Sequence, residues 1–542
     1  MKKIYLTCWL ALFALVCLPA VLMGQDYPTN AQITQRLKAL KSKYPNLTDL
    51  KSLTKTTGGK DIWVLRLGKG DADNKSAIAV VGGVEGFHLL GVEMSLRFAE
   101  SVLANNADVL DEATFYIFPN MSPDAYEQYF AALKYERRGN ATPTDDDRDG
   151  SVNEDGFDDL NKDGVITLMR VKDATGPYIM HEADERIMIM ANKDKGEAGQ
   201  YLVTSEGVDQ DKDGHFNEDG EGGVAFNKSF SYQFPYFTPG SGEFPVSQVE
   251  QRAMLDFMYE RFNIHTIFTF GPGNNLSSPW KYNAQGARVR VVTSVLSDDA
   301  KLNALLSEQY NKTISQKNAP SNPGTDGDFL QWAYFHFGKL SLGTPGWWVP
   351  TVKEAEGEKA NADKNEEVNF LRWATQEGIN DVFVPWTAVQ HPDFPGKTVE
   401  VGGIKPFVKY NPPFAMIDGA AAEHNAYLVS LAKMLPSLEW IDIKQESLGN
   451  GLTRVTAKLR NKGQLPTHTE MGKRSRWLRK VRVDMMLNDK QSFIAGQGMT
   501  LIDAIEGNGF VEMSWVVRGA GKVNLKGGAA HTGFATAELT IK

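Results

Sequence analysis

The feature that most constrains the fold is a change of periodicity between residues 77 and 105. Ala77-Ile78-Ala79-Val80-Val81 is a continuous apolar run. A run of that kind suits a central strand covered on both faces, not an exposed hairpin. It stops at Gly82-Gly83, passes through Val84-Glu85-Gly86-Phe87-His88, and gives way to Val92, Leu96, Ala99 and Leu103 at helical spacing. The helix therefore begins near Gly91. A strand that turns through a glycine elbow into a helix is the unit of open α/β sheets, whose sites form at the carboxyl ends of the strands. Here the elbow carries an acid, Glu85, and an imidazole, His88.

The flanking sequence extends the pattern. Residues 31–44 place Ile33, Leu37 and Leu40 on one helical face, and residues 50–67 read as a hairpin about Gly58-Gly59. Residues 113–119, "ATFYIFP", predict a second buried strand. Strands alternating with helices in this order predict an α/β sandwich.

These segments resemble the zinc carboxypeptidases of the M14 family. In that family a Gly-Gly strand end leads to a His-x-x-Glu pair, as at "VVGGVEGFH", and a later strand ends in an Asn-Pro-Asp-Gly turn, as at "FYIFPNMSPDAYE". "GGVAFNKSF" from Gly222 is similar to the segment ending Asp-Leu-Asn-Arg-Asn-Phe, and "FPVSQVEQRAMLDFM" to the Pro-x-Ser-Glu-x-Glu helix start. "HTIFTFGPGNNL" is similar to the strand that delivers the third metal ligand, and "GTDGDFLQWAYFHFG" to the Gly-x-x-Asp-Trp-x-Tyr helix. The resemblance runs from Asp26 to Lys433 with one insertion. It implies an α/β fold, a zinc-carboxypeptidase-like α/β/α sandwich with a mixed sheet.

A zinc peptidase needs three protein ligands and an open position for water, with a carboxylate nearby as general base. A carboxypeptidase also needs cationic and amide groups for the terminal carboxylate. The resemblance puts the three zinc-site positions at Glu85, His88 and Gly271, so the pair is reversed and the third ligand is missing. His265 begins the same strand as Gly271, at the wrong end of the sheet. Two possible ligands in place of three predict weak zinc binding at best. The general-base position, near Thr344 and Pro345, holds no carboxylate. Asn227-Lys228 replaces the Asn-Arg clasp, where Lys supplies charge but not a bidentate fork. Arg137 or Arg138 stands in for the family's polarising arginine.

The implied function is that of a pseudopeptidase whose cleft binds peptide-like ligands. The alternatives are an active metallocarboxypeptidase with a rearranged zinc site using Glu85, His88 and a further ligand, and a Ca²⁺-stabilised scaffold of the cell envelope. The corresponding partners are a peptide-like ligand or an envelope component. Taken singly, His88 could cap the helix or pair with Glu85, and His336 reads as a packed histidine. Trp347-Trp348 reads as a core anchor or a cleft lining.

The insertion, residues 142–223, carries "DDDRDGSVNEDG" from Asp145, "DLNKDGVIT" from Asp159 and "DQDKDGHFNEDG" from Asp209. Oxygen side chains at alternate positions followed by glycine suit a hard Ca²⁺ ion. The candidate ligands are Asp145, Asp147, Asp149, Asp159, Asn161, Asp163, Asp209, Asp211 and Asp213, and a structural ion would stiffen a segment with few apolar residues.

Residues 436–542 alternate apolar and polar positions between Gly/Asn turns without a helical stretch, predicting an antiparallel β-sandwich. Their cluster Lys473, Arg474, Arg476, Arg479, Lys480 and Arg482 is a candidate anion site, though such runs are more often the wet face of an edge strand. At the other end, Lys2 and Lys3 precede an apolar stretch reaching Met23, which reads as a signal peptide over residues 1–24. The only cysteines, Cys8 and Cys17, lie inside it, so a mature chain of residues 25–435 plus the sandwich has no thiol chemistry. The expected location is secreted or periplasmic in a bacterium, with no stable membrane span once the signal is removed. A net charge of −9 argues against nucleic acid.

Overall fold

A computed structural model describes residues 26–146, 148, 150–220, 222–352, 363, 365–475 and 477–542. The signal peptide, with Cys8 and Cys17, lies outside the described residues, as do Asp147, Asp149 and Arg476. The N-terminal elements are α1 (Asn30–Lys43), β1 (Thr48–Lys55), β2 (Asp61–Leu67), β3 (Ala77–Val81), α2 (Leu89–Asn105), β4 (Thr114–Phe118) and α3 (Pro123–Tyr126). The insertion adds β5 (Leu168–Lys172), β6 (Tyr178–His181), β7 (Asp184–Met190) and β8 (Tyr201–Ser205). Then come α4 (Val249–Glu260), β9 (Ile264–Phe270), α5 (Ala284–Arg288), α6 (Ser297–Thr313), α7 (Phe329–Phe335) and β10 (Leu340–Thr344). They are followed by α8 (Glu366–Gln376), β11 (Phe383–Val389), β12 (Val399–Ile404) and α9 (Ile417–Met434).

The central sheet has the order β1-β2-β4-β3-β9-β10. The hairpin joins it antiparallel, and β4, β3, β9 and β10 run parallel. Alternate side chains of these strands feed two cores. Ile78, Val80, Phe115, Ile117, Phe268 and Phe270 meet residues of α2, α6 and α9. Ala77, Ala79, Val81, Tyr116, Phe118, Ile264 and Ile267 meet residues of α4 and α7. This is the expected α/β/α sandwich with a mixed sheet, and the continuous apolar run at β3 follows from being covered on both faces. The parallel strands bring Gly82, Pro119, Gly271 and Pro345 together at their carboxyl ends.

The insertion departs from expectation. Its four strands join β11 and β12 in a second six-stranded sheet, order β11-β12-β5-β8-β6-β7. Met169 and Val171 are buried against Val399 and Val401. The segment therefore has an apolar core, half of it supplied from beyond residue 380.

The C-terminal part forms two antiparallel four-stranded sheets. One is built from β13 (Leu438–Gly449), β14 (Leu452–Asn461), β18 (Phe510–Arg518) and β16 (Ser492–Ala495). The other is built from β17 (Met499–Ile502), β15 (Val481–Met486), β19 (Gly521–Ala529) and β20 (Gly533–Ile541). Val455, Leu459 and Trp515 from one pack with Val483, Val523 and Leu525 from the other. Two details of the sequence reading are corrected. A short helix, α10 (Glu470–Arg474), interrupts the strands, and it carries Lys473 and Arg474. Nor do the basic residues form the wet face of an edge strand, because Arg482 lies on β15, which is paired on both sides. Lys473 pairs with Glu506, Lys480 with Asp503 and Arg482 with Asp484, while Arg479 lies 3.7 Å over the Phe262 ring. No helix among the described residues is long and apolar enough to cross a membrane.

Candidate functional site

The elbow is shaped by close backbone approach. A Cβ at Gly82 would lie 2.4 Å from the Gly91 carbonyl oxygen and 2.7 Å from that of Pro119. Only glycine lets α2 start this close to the ends of β3 and β4. Asn411 then pins the turn: its Oδ1 accepts from Leu90 N at 3.0 Å, and its Nδ2 donates to the Phe87 carbonyl at 2.8 Å. Tyr410 packs on Phe87 with ring centroids 5.0 Å apart.

Glu85 and His88 diverge from this elbow. Glu85 Oε1 accepts from Asn227 Nδ2 at 3.0 Å, and Asn227 Oδ1 accepts from Phe329 N at 3.0 Å. Asn227 is thus a strut between the elbow and the start of α7. Burial holds the Glu85 carboxyl above its ordinary range, opposed by that hydrogen bond and by the charges of Arg138 and Lys228. Arg138 reaches over Phe87, 5.1 Å from its centroid, while Arg137 is occupied with the Gly139 and Asn140 carbonyls. Of the two candidate arginines, Arg138 is the one placed at the elbow. Lys228 Nζ donates to the Pro239 carbonyl at 2.7 Å, and burial, with Arg138 nearby, lowers its pKa. Glu85, Asn227, Lys228 and Arg138 therefore form one charged group.

His88 faces the interior. It is buried, its Nε2 donates to the Pro345 carbonyl at 3.1 Å, and burial lowers its pKa to about 4. Its Nδ1 makes no hydrogen bond and is covered by Gly91, where a Cβ would sit 2.7 Å away. His88 stands at the N-cap position of α2, but its side chain makes no capping hydrogen bond and does not pair with Glu85.

A side chain at the third position would have to displace Val84. A Cβ on Gly271 would lie 2.6 Å from Val84 Cγ2. His265 is at the opposite end of β9, bonded to Thr266 and Pro466. Thr344 points into the core, where its Oγ1 meets Tyr310 Oη at 2.6 Å, and Tyr310 meets His424 Nε2 at 2.8 Å. Pro345 contributes only its carbonyl.

Asp328 was missed from sequence. It caps α7, accepting from Gln331 N and Thr325 N at 2.7 Å each. Burial pushes its carboxyl up to about 7, and the charge of Glu85 adds to the rise. Asp followed three residues later by Gln, just before an apolar run, was the available signal. His336, read as packed, is instead exposed, with Nδ1 2.8 Å from Ser231 Oγ. Trp347 and Trp348 are buried, and each also lines a cleft of about 730 Å³ that includes Pro272, Pro345, Lys409 and Tyr410.

A model of the zinc carboxypeptidase family matches residues 33–341, more than half of the chain. The chain belongs to the zinc carboxypeptidase family. A second family model, described only as a domain of unknown function, matches residues 437–540. Carboxypeptidase E of Caenorhabditis elegans is 26% identical over 155 residues, covering 26% of this chain and 33% of that protein. Carboxypeptidase B of Astacus astacus is 28% identical over 108 residues, covering 19% and 35%. The chain spans about a third of the length of these relatives. Among solved structures, thrombin-activatable fibrinolysis inhibitor is 12% identical with a TM-score of 0.39, covering 75% of this chain and 76% of that one. Carboxypeptidase A from Helicoverpa armigera is 15% identical with a TM-score of 0.36, covering 65% and 72%.

The family implies zinc, and the residues at the elbow of this chain do not fit it. A zinc centre needs three donor atoms converging at about 2 Å from the metal. Here one carboxylate is bound to an amide, the imidazole is turned inward, and the third position has no side chain. Among the described residues, groups of three His, Cys, Asp or Glu with ligand atoms within 4.8 Å of one another occur in the insertion instead. They are Asp209, Asp211 and Asp213, and Asp155, Asp211 and Glu218. Asp145, Asp159 and Asp209 each close their loops on backbone amides, at Gly150, Gly164 and Gly214 respectively. Asp163 Oδ1 and Asn161 Oδ1 accept from Val165 N and Asp163 N.

Proposed function

We propose that this chain is an exported, non-hydrolytic zinc carboxypeptidase family member that binds peptide-like ligands by their terminal carboxylate. The observation that supports it is the divergence of Glu85 and His88 at an elbow whose cationic neighbours remain together. Lys228 faces both Glu85 and Asp146, whereas Arg138 lies over Phe87 beside Glu85, so Arg138 is the cation offered to an incoming carboxylate, and Asn227 offers an amide. Charge-assisted hydrogen bonds of this kind are roughly twice as strong as neutral ones. The cleft beside Tyr410 and the two tryptophans accommodates the residues preceding the terminus. Export rests on the basic–apolar N-terminal pattern.

The test is calorimetry with one peptide in free-acid and C-terminally amidated forms. The free acid should bind at least about tenfold tighter, the difference expected for one charged hydrogen bond. Arg138→Ala should erase that preference. Equal affinity for both forms removes the carboxylate reading, and chelator-sensitive loss of the terminal residue removes the non-hydrolytic one.

For the insertion, we propose structural Ca²⁺ held by the 209–218 loop. Both carboxylate oxygens of Glu218 are buried without a hydrogen-bond partner, and Glu218 converges with Asp155 and Asp211. Asp155 comes from the first acidic loop, so the ion would tie two loops together. Millimolar Ca²⁺ should raise the melting temperature, and Asp155→Asn should reduce the rise. No response to Ca²⁺ in the intact protein contradicts this.

A further inference from the structure

The segment joining β9 to α6 carries apolar and cationic side chains together at the surface, on a base that is fixed. Asn283 Oδ1 accepts from Gln285 N at 2.9 Å and Gly286 N at 3.2 Å, which starts α5. Asn283 N donates to Ser294 Oγ at 2.8 Å, and Thr293 N donates to the Gly286 carbonyl at 3.0 Å. Ala287 is buried in a cluster with Val295, Leu296, Tyr334 and Met471.

The tip is not covered. Tyr282, Val289 and Val291 are 45%, 46% and 61% exposed, and Lys281, Arg288 and Arg290 are exposed among them. α5 ends at Arg288, and Val289 is extended, with φ −71° and ψ 158°. Successive side chains of an extended segment leave it on opposite sides, so valine and arginine alternate across the tip. Arg474 of α10 joins them, its Nη1 donating to the Ala287 carbonyl at 3.3 Å. None of these four cations has an ion pair among the described residues, although Lys301 of α6 and Lys473 of α10 do. The carboxylates packed nearby are already used. Asp298 holds Lys301, and Asp299 accepts from Tyr334 Oη and from the Glu470 and Met471 amides. Glu470 Oε2 accepts from Asp298 N at 3.0 Å.

Uncompensated cations gathered at one point of a chain with net charge −9 suit an anionic partner. The apolar side chains narrow its kind. A soluble polyanion would neutralise the cations and leave Val289 and Val291 in water. The boundary of an anionic bilayer receives both, because phosphates meet the cations, acyl chains take short apolar side chains, and tyrosine suits the headgroup level. We propose that residues 281–291, with Arg474, form a reversible docking tip for an anionic lipid surface. So small an apolar tip anchors weakly alone, so lipid charge decides the attachment. The inference does not rest on the carboxylate reading of the elbow.

The test is cosedimentation of residues 25–542 with vesicles, since the apolar leader would bind any bilayer. The protein should sediment with mixed phosphatidylglycerol–phosphatidylcholine vesicles at low salt and stay in solution with pure phosphatidylcholine. Each cation near such a surface contributes about fivefold, so Arg288→Gln combined with Arg290→Gln should weaken binding about twentyfold. Both positions are exposed, so the melting temperature should not move. Residues 25–542 hold no cysteine, so Val291→Cys accepts a single polarity-sensitive fluorophore. Its emission should shift to the blue on mixed vesicles. The same label at Asp489→Cys, in an exposed turn at the other end of β15 from α10, should show no shift. No sedimentation with mixed vesicles overturns the proposal, as does equal binding by the arginine variant. Binding without a blue shift at position 291, matched by equal binding to dextran sulfate, assigns the tip to soluble polyanions and overturns it too.

Discussion

Acidification should unfold this protein well before its carboxylates are neutralised. His88, His424 and His468 are held by burial to about 4, and His265 to about 3. In the unfolded chain each returns to about 6.5. A folded-state pKa below the unfolded one means that the unfolded state takes up the proton first. The stability these rings contribute is therefore complete above pH 6.5 and is lost as pH falls towards the folded values. Between pH 7 and 5 the loss is about 2 kcal/mol per ring, or about 7 kcal/mol for four. Asp328 acts the other way. Its folded pKa of about 7 lies above the ordinary 3.8, so it returns about 2 kcal/mol over the same interval. For these five groups the net loss of about 5 kcal/mol is comparable to the whole stability of many domains. Urea denaturation at pH 7, 6 and 5, followed by tryptophan fluorescence, should show the midpoint falling steeply. Superimposable curves at pH 7 and 5 would refute the reasoning, as would imidazole NMR signals that titrate near 6.5.

Two further outcomes follow from the elbow. Gly271→His, which restores the residue type expected for the third ligand, should destabilise the protein by about 1–3 kcal/mol through overpacking against Val84, and should not confer zinc binding; thermal denaturation with and without zinc reads both. Asn411→Ala should cost about 1–3 kcal/mol by leaving the Leu90 amide and the Phe87 carbonyl without their partner, and amide exchange at Leu90 should accelerate.

The central architecture was legible because it is written locally. The run at β3, the glycine pair and the helical spacing from Val92 lie within thirty residues, and burial on both faces leaves no polar alternation to confuse the reading. The insertion sheet was not legible, since β5 gains its partner β12 from some two hundred residues downstream. The divergence of Glu85 and His88 also lay beyond sequence. Both are plausible ligand types at adjacent turns of the elbow, and only Gly91 covering one imidazole nitrogen and Asn227 holding the carboxylate separate them. Asn411 gave no warning, because an asparagine before two prolines reads as an ordinary loop. The basic cluster was visible as charge, but its setting depends on Phe262 and on the loop carrying Asp503 and Glu506, two segments distant from most of it in sequence.

Whether the elbow holds zinc is decided by metal content. The intact protein and a Glu85→Gln variant would each be equilibrated with zinc, dialysed and analysed for bound metal. Both would carry Glu218→Gln to weaken the acidic insertion. The divergent elbow predicts the same low zinc content in both and no release of C-terminal residues from a free-acid peptide. One zinc per chain that disappears with Glu85→Gln, accompanied by chelator-sensitive release, would contradict it.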